Sequence, residues 1–374
     1  MSQVSPKVRV AVVFGGRSSE HAISCVTAGA VMAAIDRDRY EVVPVGIARD
    51  GRWVLAPEGQ RLAIEDGRLP EVSGEGRPLA LPFDPDSRGL LVVEPGKVPA
   101  TLGEVDVVLP LLHGPYGEDG TIQGMLELAG VRYVGAGVLA SAVGMDKGFM
   151  KLVWASRGLP IGPYVIVSDR EWRRERKRKI DEIKELGLAT GTPVFVKPAR
   201  AGSSMGISRV TSEDSLEAAI EAAREHDPKV IVEAAIEGRE IECGVLQGLD
   251  DAAPDSSLPA EVVMASGSDF YDFETKYLDS SLRLDIPPDL DPSAIEEVRR
   301  LAARAFDALD CEGLARVDFF YTPDGRWILN EINTMPGFTP ASAFPQMWAA
   351  TGLDYPALVD RLIQTALTRP TGLR

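Results

Sequence analysis

The chain has 374 residues and 45% hydrophobic content, so it can bury more than one core, because single cores usually stop growing at about 250 to 300 residues. Its net charge of -16, from 56 acidic and 40 basic residues, disfavours a nucleic-acid partner. No window approaches the about 18 apolar residues of a membrane span, no signal-type stretch precedes Val8, and Cys25, Cys243 and Cys311 match no disulfide framework, so we expect a cytoplasmic protein.

The first part of the chain predicts a parallel α/β unit. Residues 8–47 alternate between strand-like and helix-like patterns: VRVAVVFGG, SSEHAISCVTAGAVMAAI and YEVVPVGI. A second unit follows at VDVVLPLLHG and TIQGMLELAG. Between them, residues 55–103 are rich in Gly, Pro and charge, which fits either hairpin strands or an insertion. We predict an N-terminal α/β domain over residues 1–140.

The next part predicts a compact α+β domain over residues 141–232. A helix from Phe149 to Ser156 precedes the strand-like runs PVFVKP, ISRV and KVIVEAAI, with an Ala/Glu helix from Ser215. The basic run from Arg170 to Lys179 contains two glutamates, which indicates a solvated helix face.

Residues 233–374 are predicted to form a third domain. It contains the strands REIECGVL and PAEVVMA, a helix from Ile295 to Leu309, a hairpin, and a C-terminal helix from Tyr355.

The hairpin ARVDFFY-TPDGR-WILNEIN carries the candidate metal ligands. If Asp-Gly is a two-residue loop, Asp318 pairs with Glu331 and Arg316 with Asn333, and all four side chains share one face. Two carboxylates and an amide oxygen suit Mg²⁺. The alternative is an exposed polar face on which Arg316 pairs with Asp318, and the hairpin alone does not decide between the two.

Candidate phosphate ligands lie in the middle part of the chain. Lys197 ends an apolar strand, where a lysine is costly to bury unless it meets an anion. A glycine loop with Ser203 and Ser204 follows, and Lys147 in GMDKG is a second candidate cation. A plain hairpin turn is the alternative for the loop.

The segment VIVEAAIEGRE crosses into the third predicted domain and is a candidate adenosine site. Glu233 could meet an adenine amino group, the Ala235 and Ile236 backbone the ring edge, and Glu240 the ribose hydroxyls. Taken singly, these are ordinary linker residues.

Eight motifs in order resemble the ATP-grasp superfamily and, within it, the D-alanine:D-alanine ligases, over nearly the whole chain. They are VFGGRSSEHAIS, LHGPYGEDGTIQGMLE, GMDK, FVKPARAGSSMGIS, VEAAIEGREIECGVL, FYDFETKYL, GLARVDFF and ILNEINTMPGFTPAS. The resemblance implies a multidomain α/β and α+β fold. In this ATP-grasp fold, two mixed sheets grip ATP and an N-terminal parallel-sheet (pre-ATP-grasp) domain lies on the substrate side.

The resemblance also implies the reaction: ATP-dependent ligation of two D-alanines through an acyl phosphate, for peptidoglycan precursor synthesis. It implies ATP and two Mg²⁺ or Mn²⁺ ions as cofactors, and a homodimer. The matching nucleotide and metal residues are Lys147, Lys197, Ser203, Ser204, Glu233, Ala235, Ile236, Glu240 and Lys276, with Asp318, Glu331 and Asn333 as metal ligands.

The resemblance also implies which residues bind the substrates. Glu20 matches the acid that holds the first ammonium, near His113, and Ser203 and Tyr277 match the polar pair linked to it. The matches for the oxyanion donors and the second carboxylate anchor are Arg316, Gly337 and Ser342.

The histidines and one substitution leave questions open. His113 precedes a glycine turn, and its alternative role is a loop histidine satisfied by backbone; His21 and His226 are expected at the surface. Ala201 stands where some relatives carry an acid, which puts a loop-closing contact in doubt.

Three rival functions are compatible with parts of the sequence. A D-alanine:D-lactate ligase would use a hydroxyl instead of the second amine, and Tyr277 favours the dipeptide enzyme. Another carboxylate-amine ligase is more distant. A non-catalytic nucleotide-binding module should lack a metal ligand or Arg316, and this chain keeps them all.

Overall fold

The computed structural model describes most of the chain, and the described residues are 6–57, 60, 62–64, 68–82, 89–202, 205–250, 252–264 and 282–371. The predicted site residues Ser203, Ser204, Lys276 and Tyr277 lie outside these ranges. None of the helices within them has an apolar stretch long enough to span a bilayer.

A seven-stranded sheet forms the N-terminal part, in the order β6-β5-β4-β3-β2-β1-β7. Strand β1 pairs in parallel with β2 and β7, which confirms the predicted α/β unit. Its residues 10–14 are at most 1% exposed, as expected for a strand covered on both faces. The elements are β1 (Val8–Gly15), α1 (His21–Ala34), β2 (Tyr40–Ile47), β3 (Trp53–Leu55), β4 (Arg77–Ala80), β5 (Gly89–Val92), β6 (Ala100–Glu104), β7 (Val107–Pro110), α2 (Thr121–Leu128) and α3 (Val138–Met145).

The stretch 55–103 resolves as hairpin strands. From β2 to β6, consecutive strands pair antiparallel and extend the parallel core of the sheet outward. Of the two possibilities for this stretch, hairpin strands are therefore the correct one for its described residues.

A four-stranded sheet follows, in the order β10-β9-β11-β8. Trp172 and Ile220, from the two long helices, pack with Val196 and Val230 on one face of this sheet. Because side chains alternate along a strand, Lys197 and Glu233 lie on the opposite face. The elements are α4 (Lys147–Ser156), β8 (Tyr164–Ser168), α5 (Asp169–Leu186), β9 (Val194–Pro198), β10 (Ser208–Val210), α6 (Glu213–His226) and β11 (Lys229–Ala234).

A third sheet has the order β15-β14-β12-β16-β17, with β13 paired to β12. Val317 and Phe319 of β16 pack beneath it against Val298 and Phe306. The elements are β12 (Arg239–Leu246), β13 (Asp255–Ser256), β14 (Ala260–Met264), β15 (Leu282–Asp285), α7 (Pro292–Ala308), β16 (Leu314–Tyr321), β17 (Trp327–Asn333), α8 (Ala343–Thr351) and α9 (Tyr355–Thr368).

The strand directions in the second and third sheets differ from the expectation. The second and third sheets were expected to be mixed, but the pairings between their named strands are all antiparallel. In the second sheet, α5 connects β8 to β9 and α6 connects β10 to β11, and each helix joins two strands that are separated by another strand. The parallel strands are therefore not neighbours, and every neighbouring pair runs antiparallel. The predicted domain boundaries, 1–140, 141–232 and 233–374, stay a prediction.

The β16–β17 hairpin has the predicted residue pairs near the site, but its loop differs from the predicted one. Asp318 faces Glu331 and Arg316 faces Asn333, as expected. However, Thr322 N donates to Arg326 O at 3.0 Å, so the loop has three residues, not two. A bulge compensates: next to the Asp318–Glu331 pair, Phe319 pairs with Leu329, and Asn330 is the extra residue.

The C-terminal helix α9 joins the first sheet to the rest. Leu358 and Leu362 belong to the same core as Val12 and Phe14 of β1. Just after the helix, Arg369 is 3% exposed. Its Nη1 donates to the carbonyls of residues 133 and 135 at 2.8 and 2.6 Å, and its Nη2 pairs with Glu312.

We expect Arg369→Ala to lower the free energy of unfolding by about 3 to 5 kcal/mol, the cost typical of removing one partner of a buried ion pair. Two buried carbonyls and Glu312 would lose their donor. Urea or thermal unfolding measures the change. Arg283→Ala is the control, because Arg283 pairs with Asp285 at 71% side-chain exposure and should matter little. Equal effects of the two substitutions would contradict a stabilising role for the Arg369 contacts.

Candidate active site

A cavity of about 530 Å³ lies where the open faces of the second and third sheets meet loops of the first. Strands β9, β11, β12, β16 and β17 supply its walls, helix α4 closes one side, and the turns before α1 and after β7 close the other. A cavity of this size, with convergent polar groups, is a typical ligand site.

The hairpin presents its polar face to this cavity. Arg316 Nε and Nη2 each donate to the Asp318 carboxylate at 2.7 Å, and Asn333 Nδ2 donates to Asp318 Oδ2 at 3.0 Å. Asp318 is 9% exposed. The predicted convergence of the four side chains is therefore present, and the exposed-face alternative is wrong, although the ion pair that it assumed does form.

The donor set fits a divalent cation. Asp318, Glu331 and Asn333 offer hard oxygen atoms, and the two carboxylates are matched by the Arg316 guanidinium and, at 3.3 Å, by Lys147 Nζ. Within the described ranges, no cluster of three or more His, Cys, Asp and Glu side chains could hold a metal alone. An ion bound here would take Asn333 and phosphate oxygens as well, which suits Mg²⁺.

Glu242 is a site residue that sequence reasoning missed. It lies on β12 directly opposite Asp318, and its Oε2 is 3.3 Å from Arg316 Nε. Burial alone would lower the pKa of Arg316, but Asp318 and Glu242 outweigh it and hold that pKa well above its usual value. The alternation of Glu240 and Glu242 in REIECGVL was the available signal.

A second charge cluster forms around Glu233. Its carboxylate lies 2.7 Å from Lys151 Nζ and 2.6 Å from Lys197 Nζ. Burial would raise the pKa of Glu233, but the two ammonium groups outweigh it and depress that pKa strongly. Burial alone would lower the pKa of Lys197, but the Glu233 carboxylate outweighs burial and raises that pKa. Lys197 therefore meets an anion, the Glu233 carboxylate, and its role as a phosphate ligand stays a prediction.

Lys151 was also missed from the sequence. Its side chain is 2% exposed, and its Nζ donates to the Asn330 carbonyl at 3.2 Å, at the β-bulge. It follows Lys147 by four residues, so both face the cavity from one side of α4. That spacing was a signal, but the apolar neighbours of Lys151 gave no reason to expect a charged partner.

The crossing segment lines the cavity in part. Ile236 and Glu240 are lining residues, as predicted. The Ala235 amide donates to the Pro193 carbonyl at 2.8 Å, so this N–H is already used within the protein. If Ala235 contacts adenine, it does so through another atom.

Glu20 precedes α1 and is 7% exposed. A Cβ on Gly114 would collide with its Oε2, and a Cβ on Gly202 would lie 3.4 Å from the same atom. Gly202 of the glycine loop therefore lies close to Glu20.

His113 has both ring nitrogens occupied. Nδ1 lies 3.0 Å from the Met335 carbonyl and Nε2 3.3 Å from Thr27 Oγ1. Since a carbonyl only accepts, Nδ1 carries the hydrogen of a neutral ring. Burial lowers the pKa of His113, partly offset by Glu20. The backbone-satisfied alternative thus describes its nitrogens, while the ring still lines the cavity.

The other two histidines differ from each other. His226 is exposed, as expected. The surface prediction for His21 is wrong, because it is fully buried between Gly16 O, 2.7 Å from Nδ1, and Val72 N, which donates to Nε2 at 3.1 Å. Val72 lies 51 residues away, in the stretch that the sequence could not place, so no local pattern indicated this contact.

Glu118 is the third missed residue. Its Oε1 accepts from Gly114 N at 2.7 Å and its Oε2 from Met335 N at 3.1 Å. Burial, reinforced by Glu20, raises the pKa of Glu118 to about 8. The motif LHGPYGEDG contains it, but nothing local indicated its long-range partner.

The turn after β17 supplies the remaining predicted residues. Gly337 and Ser342 line the cavity. Ser342 Oγ accepts from Thr339 N at 3.1 Å and lies 2.9 Å from Thr339 Oγ1, which orients it at the start of α8. The cavity thus combines cations for a polyanion, oxygens for a metal, and acids on the far side.

Both family models and a curated relative match this chain over most of its length. Family models described as "D-ala D-ala ligase N-terminus" and "D-ala D-ala ligase C-terminus" match residues 9–136 and 153–364. A protein of Kineococcus radiotolerans named D-alanine--D-alanine ligase is 60% identical over 99% of both chains.

Solved structures of similar proteins cover nearly the whole fold. The VanG D-Ala:D-Ser ligase of Enterococcus faecalis has 34% identity and a TM-score of 0.82, over 96% of this chain and 100% of that one. The D-alanine-D-alanine ligase of Coxiella burnetii has 32% identity and a TM-score of 0.79, over 96% and 94%.

The raised pKa of Glu118 predicts a pH dependence of stability. Between the ordinary pKa of 4.5 and about 8, the folded protein holds one more proton here than the unfolded chain. The free energy of unfolding should therefore fall as pH rises, by up to about 1.4 kcal/mol per pH unit. In Glu118→Gln this contribution disappears. The free energy of unfolding of the native protein minus that of the variant should therefore shrink or change sign toward pH 8. Urea unfolding without substrates measures both values. Parallel curves would contradict the assignment.

Proposed function

The chain belongs to the family of D-alanine–D-alanine ligases, and we propose that its cavity holds ATP and two D-alanines in line for the reaction of that family. The enzyme joins two D-alanines in an ATP-dependent reaction that serves cell-wall synthesis. The observation that supports our site assignment is that Glu20, the lysine cluster and the hairpin acids all line one cavity.

The chemistry requires this combination. A carboxylate is a poor target for an amine, because its charge repels nucleophiles and its oxygen leaves badly. Transfer of the γ-phosphoryl group of ATP to the first D-alanine would give an acyl phosphate, which the second amine attacks with loss of phosphate. Such a transfer depends on positioning and charge neutralisation rather than on a protein nucleophile.

ATP would lie between the second and third sheets, with its phosphates at Lys147 and Lys197. Lys197 now pairs with Glu233 at 2.6 Å, so it must turn toward the phosphates. Lys151 remains bound to Glu233 at 2.7 Å, which keeps this buried carboxylate compensated. Glu233 would then accept from the adenine amino group, Ile236 would contact the ring, and Glu240 the ribose.

Asp318, Glu331 and Asn333 would hold the divalent ions, two in number. Bound there, such ions neutralise charge on the transferred phosphoryl group. Arg316 would be released from Asp318 but stay beside Glu242, 3.3 Å away. Its guanidinium, with the Gly337 backbone, would then stabilise the oxyanion of the tetrahedral intermediate.

The D-alanines would occupy the side nearer the first sheet. Glu20 would hold the ammonium of the first, with the His113 ring beside it, and Ser342 the carboxylate of the second. The roles of Ser203, Ser204, Lys276 and Tyr277 stay predictions. So do the homodimer and the cytoplasmic location.

The direct test is product analysis. With ATP, Mg²⁺ and D-alanine, we expect ADP, phosphate and a dipeptide of D-alanine in equal amounts, by mass spectrometry and phosphate release. Parallel reactions contain D-alanine with D-lactate or with D-serine. A product that forms only when one of these replaces the second D-alanine would contradict the dipeptide assignment.

A metal titration tests the hairpin. Glu331→Ala removes one carboxylate, so it should lower turnover at least about 10²-fold and raise the Mg²⁺ concentration for half-maximal activity. The free energy of unfolding should change little, because Glu331 is only half-buried. Glu237→Ala is the control, since Glu237 is exposed on the crossing segment. An unchanged Mg²⁺ requirement would remove Glu331 from the metal site.

A further inference from the structure

Glu118 lines the cavity, yet the reaction described above gives it no task. Its two carboxylate oxygens accept from backbone amides in different parts of the fold. One is Gly114, in the turn after β7, and the other is Met335, in the turn after β17. These two amides are 221 residues apart in the chain.

The two turns form adjoining walls of the proposed D-alanine sites. Gly114 is in contact with Glu20, the proposed anchor of the first ammonium. Met335 precedes Gly337 and Ser342, the proposed oxyanion donor and second carboxylate anchor. His113 joins the same walls through the Met335 carbonyl at 3.0 Å, so both polar backbone groups of Met335 are fixed from the first sheet.

We propose that Glu118 is a positioning residue that sets the gap between these walls and thereby aligns the second amine with the acyl phosphate. The inference rests on the proposed function. A carboxylate suits the role because it can accept from both amides at once, whereas an amide side chain offers one acceptor and one donor.

The proposal predicts a specific failure. If the walls separate, water can take the place of the second amine. Its oxygen then bonds to the carbonyl carbon of the acyl phosphate, and the bond from that carbon to the phosphate oxygen breaks. Phosphate leaves with the electron pair, water loses a proton, and D-alanine is regenerated. ATP is consumed without dipeptide.

The experiment measures phosphate released per dipeptide formed. For the native enzyme we expect a ratio of one. Glu118→Gln places an amide donor against a backbone N–H, and losing such a buried bond typically costs about a factor of ten in affinity. We therefore expect the ratio to rise at least about twofold and the KM for the second D-alanine about tenfold. Assays at about pH 9 keep the native carboxyl ionised, because its pKa is about 8.

Asp119→Asn is the matched control. Asp119 also accepts from two backbone amides, those of Tyr116 at 2.8 Å and Thr121 at 3.0 Å, but both lie within three residues of it in the chain. The same acid-to-amide change should leave the ratio at one. Glu118→Asp, which is one methylene too short to span both walls, should resemble Glu118→Gln, and unchanged ATP affinity would show that the variants are folded.

The outcomes distinguish a failure of the proposed function from a failure of the role proposed for Glu118. No dipeptide from the native enzyme would contradict the proposed function itself. A native ratio of one with the same ratio and an unchanged D-alanine KM in Glu118→Gln would overturn the role of Glu118, even if turnover fell. A raised ratio in Asp119→Asn equal to that in Glu118→Gln would overturn it too, because loop disorder alone would then explain the effect.

Discussion

Charge compensation within the cavity is the constraint on which the site depends. Removing one partner of a buried ion pair is costly, and each central pair here has a third member: Glu233 contacts Lys197 and Lys151, and Arg316 contacts Asp318 and Glu242. One partner of each trio can therefore turn to a ligand while the other two stay neutralised. The fold stores the cations for a polyanion without leaving any of these charges bare in the meantime.

Local patterns in the sequence were sufficient for the elements and for much of the site. The alternation in ARVDFFY and WILNEIN predicted which side chains share a face, and the pairing of Asp318 with Glu331 is as expected. The predicted loop was nevertheless one residue too short, and the pairing survived only because the Asn330 bulge restores the register. Asp-Gly is a strong turn signal, but it does not fix loop length when a bulge can compensate.

What the sequence could not reveal depends on contacts across the fold. Lys151 and Glu118 acquire their roles from Asn330 and Met335, which lie 179 and 217 residues away. His21 was expected at the surface, but it is buried against Val72, which lies between β3 and β4 in the stretch that the sequence could not place. The motifs that carry the family resemblance include Glu20 and Lys147, and both residues line the same cavity. A motif can also contain a residue such as Glu118 without indicating its distant partner.

The C-terminal helix has a consequence for how the protein is made. Leu358, Leu362 and Ile363 complete the core beneath β1, and Arg369 bonds to residues at the edge of the same region. Domains usually fold in order as they emerge from the ribosome. Here part of the core around β1 waits for residues more than 300 positions later, so some of its apolar side chains stay uncovered for most of translation. Until α9 has been synthesised, those side chains are open to apolar contacts other than the native ones.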